Sequence, residues 1–375
     1  MTTARGRIDS IDLVRGLAMI LMALDHVRVY SGVPAGGPSP GIFFTRWITH
    51  FVAPAFAFLA GTSIYLHGRK LASRGALSRF LLTRGAWLVL LELTLIRVFW
   101  TFNLDFAHYM LAGVIWMLGI CMILMAAIIY LPVRAIGVAG VLIILLHNVL
   151  DFVPRPPIPE PLWAFLYGGG PSVGPLLVLY VVIPWIGVMM AGYAFGRVME
   201  MPQEQRRRAT LRLGIGLTVL FFVVRGVNLY GDPHPWTQER LPLGFLATTK
   251  YPASLAFLLM TLGPMFIAIA IAEHRTGRIA RAITVFGRVP MFYYLLHIPL
   301  IHVAACIVSL VREGAIDPWL FGNHPMNPPP LPPNYTWSLG LLYAVYALCV
   351  VALYFPCRWY AELRATKRWP WLSYI

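Results

Sequence analysis

The chain has 375 residues, of which 59% are hydrophobic and only 12% charged, with a mean hydropathy of +0.71 and a formal net charge of +15. A soluble domain carries about 25% charged residues, so this chain lacks the polar groups to cover a surface in water, and lipid is its solvent. The positive charge recurs between apolar stretches instead of forming one stripe, and no zinc-finger, RNA-binding or basic-zipper pattern accompanies it, which excludes nucleic acid as a partner.

A bilayer core of about 30 Å needs about 20 apolar residues per helix. That criterion predicts spans at 11–31, 44–66, 78–101, 108–130, 133–152, 175–197, 209–229, 251–273, 289–311 and 337–358. The first stretch contains Asp12, Arg15, Asp25 and Arg28 with no small-residue cleavage site after it, so it reads as a membrane helix and not a signal peptide. Arg5 and Arg7 precede it. Arg69, Lys70, Arg74, Arg79, Arg134, Arg197, Arg206, Arg207, Arg208, Arg212, Arg275, Arg278, Arg281, Arg358, Arg364, Lys367 and Arg368 fall in connections on the same side, whereas the alternate loops hold only Arg155, Arg240, Lys250 and Arg312. The positive-inside rule makes the crowded side cytoplasmic. The expected fold is an all-α integral membrane protein, a single bundle of about ten transmembrane helices spanning 1–375 with both termini cytoplasmic.

The outer connections 152–174 and 322–335 are rich in proline, glycine and aromatics, and read as stiff covers over the outer face. Cys121, Cys306, Cys349 and Cys357 all fall in apolar segments without a C-x-x-C pair, so they read as small buried hydrophobes. Gly61-Thr62-Ser63 suits close helix packing. Gly168-Gly169-Gly170 follows no predicted strand and reads as a turn, and no H-E-x-x-H, Walker or G-x-S-x-G signature is present. No metal is expected.

Ionisable residues within membrane helices are costly and mark functional sites. Asp25, His26, Arg28, Arg46, His50, Arg97, Asp105, His108, His147, Asp151, Arg225 and Lys250 all map to outer halves or outer ends of the predicted helices, which implies a polar cavity opening outward. The competing reading is that these groups pair with one another or snorkel to the interface. Arg15 and His26 are eleven residues apart, close to three helical turns, so they share one face about 16 Å apart along the axis. Asp12 and Arg15 can pair at i, i+3. An arginine near the inner interface suits a phosphate and a histidine near the outer end suits a general base, a separation that an elongated donor such as coenzyme A would span. His26 is the first candidate for the base and His50 the second, His50 lying on a helix that Pro54 loosens. Asp25 adjoins His26 but points about 100° away, leaving Asp105, Glu92 or Asp151 to orient the imidazole. Arg15, Asp12, Arg69 and Arg288 are the donor-binding candidates. Arg46, Arg97, Arg225 and Lys250 would form an anion-binding outer mouth, and Trp236, Tyr251 and Trp163 would stack on a sugar or, as the alternative, sit in the interfacial aromatic belt. His297, mid-span with Pro299 just after it, is placed with the substrate-binding group, against the alternative of a hydrogen-bonded core histidine.

The segment RIDSIDLVRGLAMILMALDHVR (7–28) resembles the start of bacterial proteins related to heparan-alpha-glucosaminide N-acetyltransferase. RWITHFVAPAFAFLAGTS (46–63), NLYGDPHPW (228–236), TKYPASLAFLLMTLGP (249–264) and GRVPMFYYLLHIPLIH (287–302) are similar to further segments of that family. The Arg15-x10-His26 spacing also resembles the R-x10-H signature of another class of bacterial membrane O-acyltransferases. Both resemblances imply multi-helix acyl transfer from a cytosolic acyl-coenzyme A to a glycan on the far side. The resemblance also implies a catalytic histidine between helices one and two, but Ser31 to Phe44 contains none. The expectation is therefore a bacterial inner-membrane acetyltransferase, in contact with membrane lipid, using acetyl-CoA to modify an amine or hydroxyl of a cell-envelope sugar, with a homodimer as a candidate assembly. The rival reading is a transporter or flippase for an anionic solute or lipid-linked sugar.

Overall fold

In lipid every backbone N–H and C=O must be satisfied within the protein, so apolar runs of this length fold as helices. The computed structural model describes residues 8–37, 39–237, 242–326, 328–367, 369 and 372. Arg5, Arg7, Arg240 and Arg368 lie outside the described residues. The chain runs through α1 (Asp9–Ser31), α2 (Pro40–Trp47), α3 (Val52–Gly68), α4 (Arg74–Leu91), α5 (Arg97–Thr101), strand β1 (Met110–Ala112), α6 (Val114–Ile128), α7 (Val133–Leu146) and the short α8 (Glu160–Trp163). Strands β2 (Gly170–Pro171) and β3 (Leu176–Val178) follow, then α9 (Val182–Phe195), α10 (Gln203–Val227), the short α11 (Leu243–Leu246), α12 (Leu255–Ala272), α13 (Arg278–Arg288), α14 (Pro290–Glu313) and α15 (Leu339–Thr366).

Among the described residues, seven helical segments are long and apolar enough to cross a membrane: Pro40–Gly68, Val133–Asp151, Val182–Glu200, Gln203–Val227, Leu255–Ala272, Pro290–Glu313 and Leu339–Thr366. Helices also occupy the other three predicted positions. Of these, α1 and the α4–α5 run carry more charge than a purely apolar span, and α6 has only 15 residues. The chain is a multi-pass helical membrane protein.

The all-α expectation needs one correction, a small three-stranded sheet in the order β1-β3-β2. Met110 pairs in parallel with Leu176, and Gly170 pairs antiparallel with Val178. Gly169 and Gly170 have φ of 68° and 84°, so the glycine run does form a reversal, but one that feeds a strand. Consequently the helices predicted from 108 and 175 begin later, at Val114 and Val182. Pro184 suits the first turn of α9, where its missing N–H has no intrahelical partner to lose. The start of α6 is capped from outside its own segment. A π-turn over Glu92–Ile96 turns the Glu92 carboxylate onto the N–H groups of Ile115 (2.8 Å) and Trp116 (3.1 Å). Glu92, which is 2% exposed, therefore caps a helix and does not orient His26. Glu92→Ala leaves two buried donors unpaired and is expected to cost about 1–3 kcal/mol, read as a lower thermal midpoint in detergent.

Small residues set the closest helix crossings. A Cβ on Gly61 would meet the Met189 carbonyl oxygen at 2.0 Å, and one on Gly192 would meet that of Phe58 at 2.1 Å, so α3 and α9 touch backbone to backbone there. Thr62 adds a hydrogen bond to the Gly192 carbonyl at 3.0 Å. The Gly61-Thr62-Ser63 segment thus acts in packing as expected. Cys121, Cys349 and Cys357 are buried, Cys306 is half-buried, and all are free thiols.

Two devices position the C-terminal end of α1. Pro54 has no N–H to offer the carbonyl one turn earlier, and the chain tightens into a 3-10 turn over Ile48–Phe51 between α2 and α3. The proline-rich segment after α14 folds back onto the last turn of α1. Asn323 donates to the Val29 carbonyl (2.9 Å), the Tyr335 hydroxyl to that of Tyr30 (3.0 Å) and the Trp337 N–H to that of Ser31 (2.9 Å). These bonds satisfy helix-end carbonyls that would otherwise lack partners.

Candidate functional site

Two histidines from α1 and α14 meet near the C-terminal end of α1. His26 Nδ1 lies 2.6 Å from His297 Nε2, and the rings stack with centroids 4.8 Å apart. His297 is fully buried, and its Nδ1 contacts the carbonyl oxygens of Tyr294 (2.6 Å) and Tyr293 (3.2 Å). A carbonyl oxygen only accepts, so His297 Nδ1 carries the hydrogen and its Nε2 is an acceptor when the ring is neutral. His26 Nδ1 must then donate, which leaves a lone pair on His26 Nε2. The tautomers follow from this network. His26 keeps partial exposure, with Trp100 packed edge-on against it at 4.8 Å. The arrangement suits a general base whose orienting partner is a second histidine.

Beside this pair, Asp25 accepts from Arg28 Nε (2.9 Å) and from Arg46 of α2 (2.7 Å), and Arg46 also donates to Thr49 (3.2 Å). Asp25 faces away from His26, as one step along a helix requires. Lys250 is 8% exposed, with its ammonium 5.1 Å from the Tyr251 ring centre and 5.9 Å from that of Tyr180. Burial, with Arg46 nearby, holds its ammonium below the usual lysine range. A pocket of about 330 Å³ opens next to this cluster, lined among others by Arg46, Trp47, His50, His234, Thr248 and Thr249. His50 Nδ1 is buried there without a hydrogen-bond partner among the described residues.

Arg225 and Asp232 stand behind the lining residues His234, Ala247 and Thr249 and hold them in place. Arg225 is 2% exposed and donates to the carbonyls of Phe245 (3.0 Å), Gly244 (3.1 Å) and Ala247 (2.8 Å). Asp232 accepts from Thr249 N (3.0 Å), Thr249 Oγ1 (2.7 Å), Ser254 Oγ (3.1 Å) and His234 N (3.0 Å). Arg225 therefore shapes the wall and does not point an open guanidinium at a ligand. Trp236 donates its indole N–H to the Arg225 carbonyl at 2.7 Å, which makes it part of the same scaffold. Replacing Arg225 by Met leaves several carbonyls without donors. The expected result is a thermal midpoint lowered by several degrees together with loss of ligand binding at the pocket.

Three other predicted residues sit apart from the histidine pair. Asp105 is an exposed loop residue, and the hydrogen bond from His108 holds its carboxyl below the usual aspartate range. Arg97, 1% exposed, is spent on the carbonyls of Tyr109, Asn103 and Asp105, so it organises the loop after α5. Asp151 accepts from Asn148 (2.7 Å) and Tyr167 (2.9 Å), not from His26.

Near the N-terminal end of α1, Arg15 donates to Asp12 (3.1 Å), Ser63 (2.9 Å) and the Gly287 carbonyl (3.3 Å), joining α1, α3 and α13. Arg69 pairs with Glu200 at 3.1 Å and Arg288 with Asp9 at 3.3 Å. Arg15 and His26 share a face as expected, but among the described residues no open passage joins them. Met19 and Met22, each 3% exposed, occupy that face and pack it closed.

The sequence reading missed the role of His297 as the partner of His26, and it missed Tyr180, Trp100, His234 and Thr249 altogether. The paired histidines are 271 residues apart in the chain, and nothing in their local spacing points from one to the other.

A family model described as heparan-alpha-glucosaminide N-acetyltransferase, catalytic, matches residues 7–228, more than half of the chain. The match includes Arg15, Asp25, His26, Arg46 and His50, while Lys250 and His297 lie beyond it. No individually curated protein matches the chain. The chain belongs to the heparan-alpha-glucosaminide N-acetyltransferase catalytic family, a family of membrane acetyltransferases.

Proposed function

We propose that this protein transfers an acetyl group from cytosolic acetyl-CoA to an amine or hydroxyl of a sugar on the outer side of a bacterial cytoplasmic membrane. The distribution of Lys and Arg supports about ten spans with both termini cytoplasmic, which sets the histidine pair on the outer side. One observation carries the chemical reading: the network from the Tyr294 carbonyl through His297 leaves His26 Nε2 as a fixed, accessible lone pair. His26 Nε2 takes the proton from the acceptor nitrogen or oxygen as that atom attacks the thioester carbonyl. The carbon–sulfur bond then breaks, and the coenzyme A sulfur leaves with the proton that His26 returns. His297 holds the imidazole in the required tautomer, and no charge need build up on His297 itself.

Arg15, with Asp12, Arg69 and Arg288 on the same side, is the proposed contact for the phosphates of the donor. Its present bonds to Asp12, Ser63 and Gly287 describe a closed inner end. Methionine side chains are flexible and repack readily, so Met19 and Met22 are the residues that would move to let an acyl chain approach His26.

The test is direct. Purified protein incubated with labelled acetyl-CoA and glucosamine is expected to yield labelled N-acetylglucosamine. The product should be lost in His26→Ala and largely kept in His50→Ala. Uptake of an anionic solute into proteoliposomes without any acetyl transfer would favour the transporter reading instead.

A further inference from the structure

Three hydrogen-bond donors converge on one phenol oxygen in the cluster around Asp25. Tyr251 lies between α11 and α12, and its hydroxyl is 3.5 Å from that of Tyr180, the two rings meeting edge-on with centroids 5.3 Å apart. The Arg46 guanidinium and the Lys250 ammonium both hydrogen-bond the Tyr251 side chain. Both groups only donate, so both place an N–H on the Tyr251 oxygen. Tyr180 is 6% exposed, and among the described residues the Tyr251 oxygen is the acceptor within reach of its hydroxyl. A buried hydroxyl hydrogen is costly to leave unpaired, so Tyr180 donates as well. A neutral phenol oxygen has two lone pairs and a hydrogen of its own, whereas this one meets three donors. The count closes when Tyr251 has lost its proton.

The charges agree with the count. Arg28 and Arg46 share Asp25, at 2.9 and 2.7 Å, and Lys250 is a third cation acting on the same carboxylate. Unpaired buried charge is expensive, and an ionised Tyr251 gives Lys250 and Arg46 a second anion. Burial of the hydroxyl and the charge of Asp25 oppose that ionisation. Lys250, Arg46 and the Tyr180 hydroxyl outweigh them and hold Tyr251 below the usual tyrosine range.

We propose that Tyr251 is ionised in the resting protein and serves as a second proton acceptor for acyl transfer, beside His26. The inference rests on the acetyl-transfer reading above. In that reading His26 takes one proton from the attacking atom and returns it to the coenzyme A sulfur, so a hydroxyl acceptor leaves no proton over. An amine acceptor arrives at neutral pH as an ammonium and brings one more. Its first N–H bond breaks, the electron pair stays on nitrogen, and the proton forms the O–H bond of Tyr251. The free amine then attacks the thioester as His26 Nε2 takes the second proton. Tyr251 is 37% exposed, so the proton it has gained passes to water and the phenolate is restored.

The first measurement is the ultraviolet absorption of the full-length protein in detergent, with neither donor nor acceptor present. One of the 17 tyrosines should show the red-shifted tyrosinate band at neutral pH, short of the ordinary ionisation near about pH 10, and the band should fade on acidification. It should vanish in Tyr251→Phe. Lys250→Met keeps the tyrosine and removes one donor, so its band should need a higher pH to appear, whereas Lys250→Arg should behave much as the unmodified chain. Ordinary phenol absorption alone at neutral pH would overturn the proposal, and so would a band that Lys250→Met leaves unmoved. The second measurement is the rate of glucosamine acetylation against pH. Tyr251→Phe should be slower by at least about tenfold at neutral pH, and the deficit should shrink as rising pH removes the ammonium proton in solution. An equal deficit at every pH would make Tyr251 structural and overturn its role as a base. A tyrosinate band in a protein that transfers no acetyl group sinks the acetyl-transfer reading and leaves the ionised tyrosine in place.

Discussion

His26→Gln is expected to lower the rate of acetyl transfer by about 10²–10⁴, the range that a positioned general base supplies, while the thermal midpoint stays close to that of the unmodified protein. Glutamine fills a similar volume and its amide N–H can still donate toward His297, but it offers no nitrogen lone pair to take a proton. The partner variant separates chemistry from structure. His297→Phe removes the acceptor that fixes the His26 tautomer, so kcat should fall about tenfold or more with little change in KM for the donor. His297→Gln, whose side-chain oxygen can accept from His26 Nδ1, should recover part of that loss. A purely structural histidine at 297 would give no such recovery, because His297→Gln would leave the same packing defect and no better rate.

Gly287→Leu is expected to abolish accumulation of folded protein. A Cβ at Gly287 would lie 1.8 Å from the Asp12 carbonyl oxygen, and at the matching position on α1 a Cβ on Gly16 would lie 2.0 Å from the Ile283 carbonyl oxygen. Both obstructing atoms are backbone, so no rotamer change relieves the clash and α13 must separate from α1. Overpacking a well-filled core costs about 1–3 kcal/mol when side chains can adjust, and here they cannot, so the cost exceeds that range. The separation would also remove the Gly287 carbonyl from Arg15 and loosen the packing at the N-terminal end of α1. Gly216→Ala in α10 is the control. Nothing lies within 4 Å of its Cβ position, so the substitution is expected to be neutral or to stabilise by about 0.5–1 kcal/mol. Detergent size-exclusion profiles and thermal midpoints read both outcomes.

Much of the architecture was legible because hydropathy and helix length are local properties. Each predicted span coincides with a helix, and Gly61-Thr62-Ser63 packs as its small side chains suggest. The sheet was not legible. Met110–Ala112 and Leu176–Val178 are short apolar runs that continue into helices, and strand pairing between them depends on a contact 66 residues away in sequence. The amphipathic α13 was passed over because three arginines masked its apolar face. At the site, helical geometry placed Arg15 and His26 on one face and turned Asp25 aside. Spacing along one helix could not reveal which groups fill that face or meet it from elsewhere. Met19 and Met22 close the interior that the sequence left open, and His297 arrives from α14. Arg97 and Arg225 showed the same limit in another form. A buried arginine reads as a ligand anchor in sequence, but here each is consumed by loop carbonyls, which only the folded backbone brings within reach.

The central claim is vectorial acetyl transfer through His26, and sided proteoliposomes test it most directly. Protein is reconstituted, and vesicles with the termini outward are loaded with glucosamine and given labelled acetyl-CoA from outside. The account predicts labelled N-acetylated sugar inside the vesicles, absent when His26→Gln replaces the unmodified chain. Labelled product formed at the same rate by His26→Gln, or formed only when sugar and acetyl-CoA share one compartment, would contradict it.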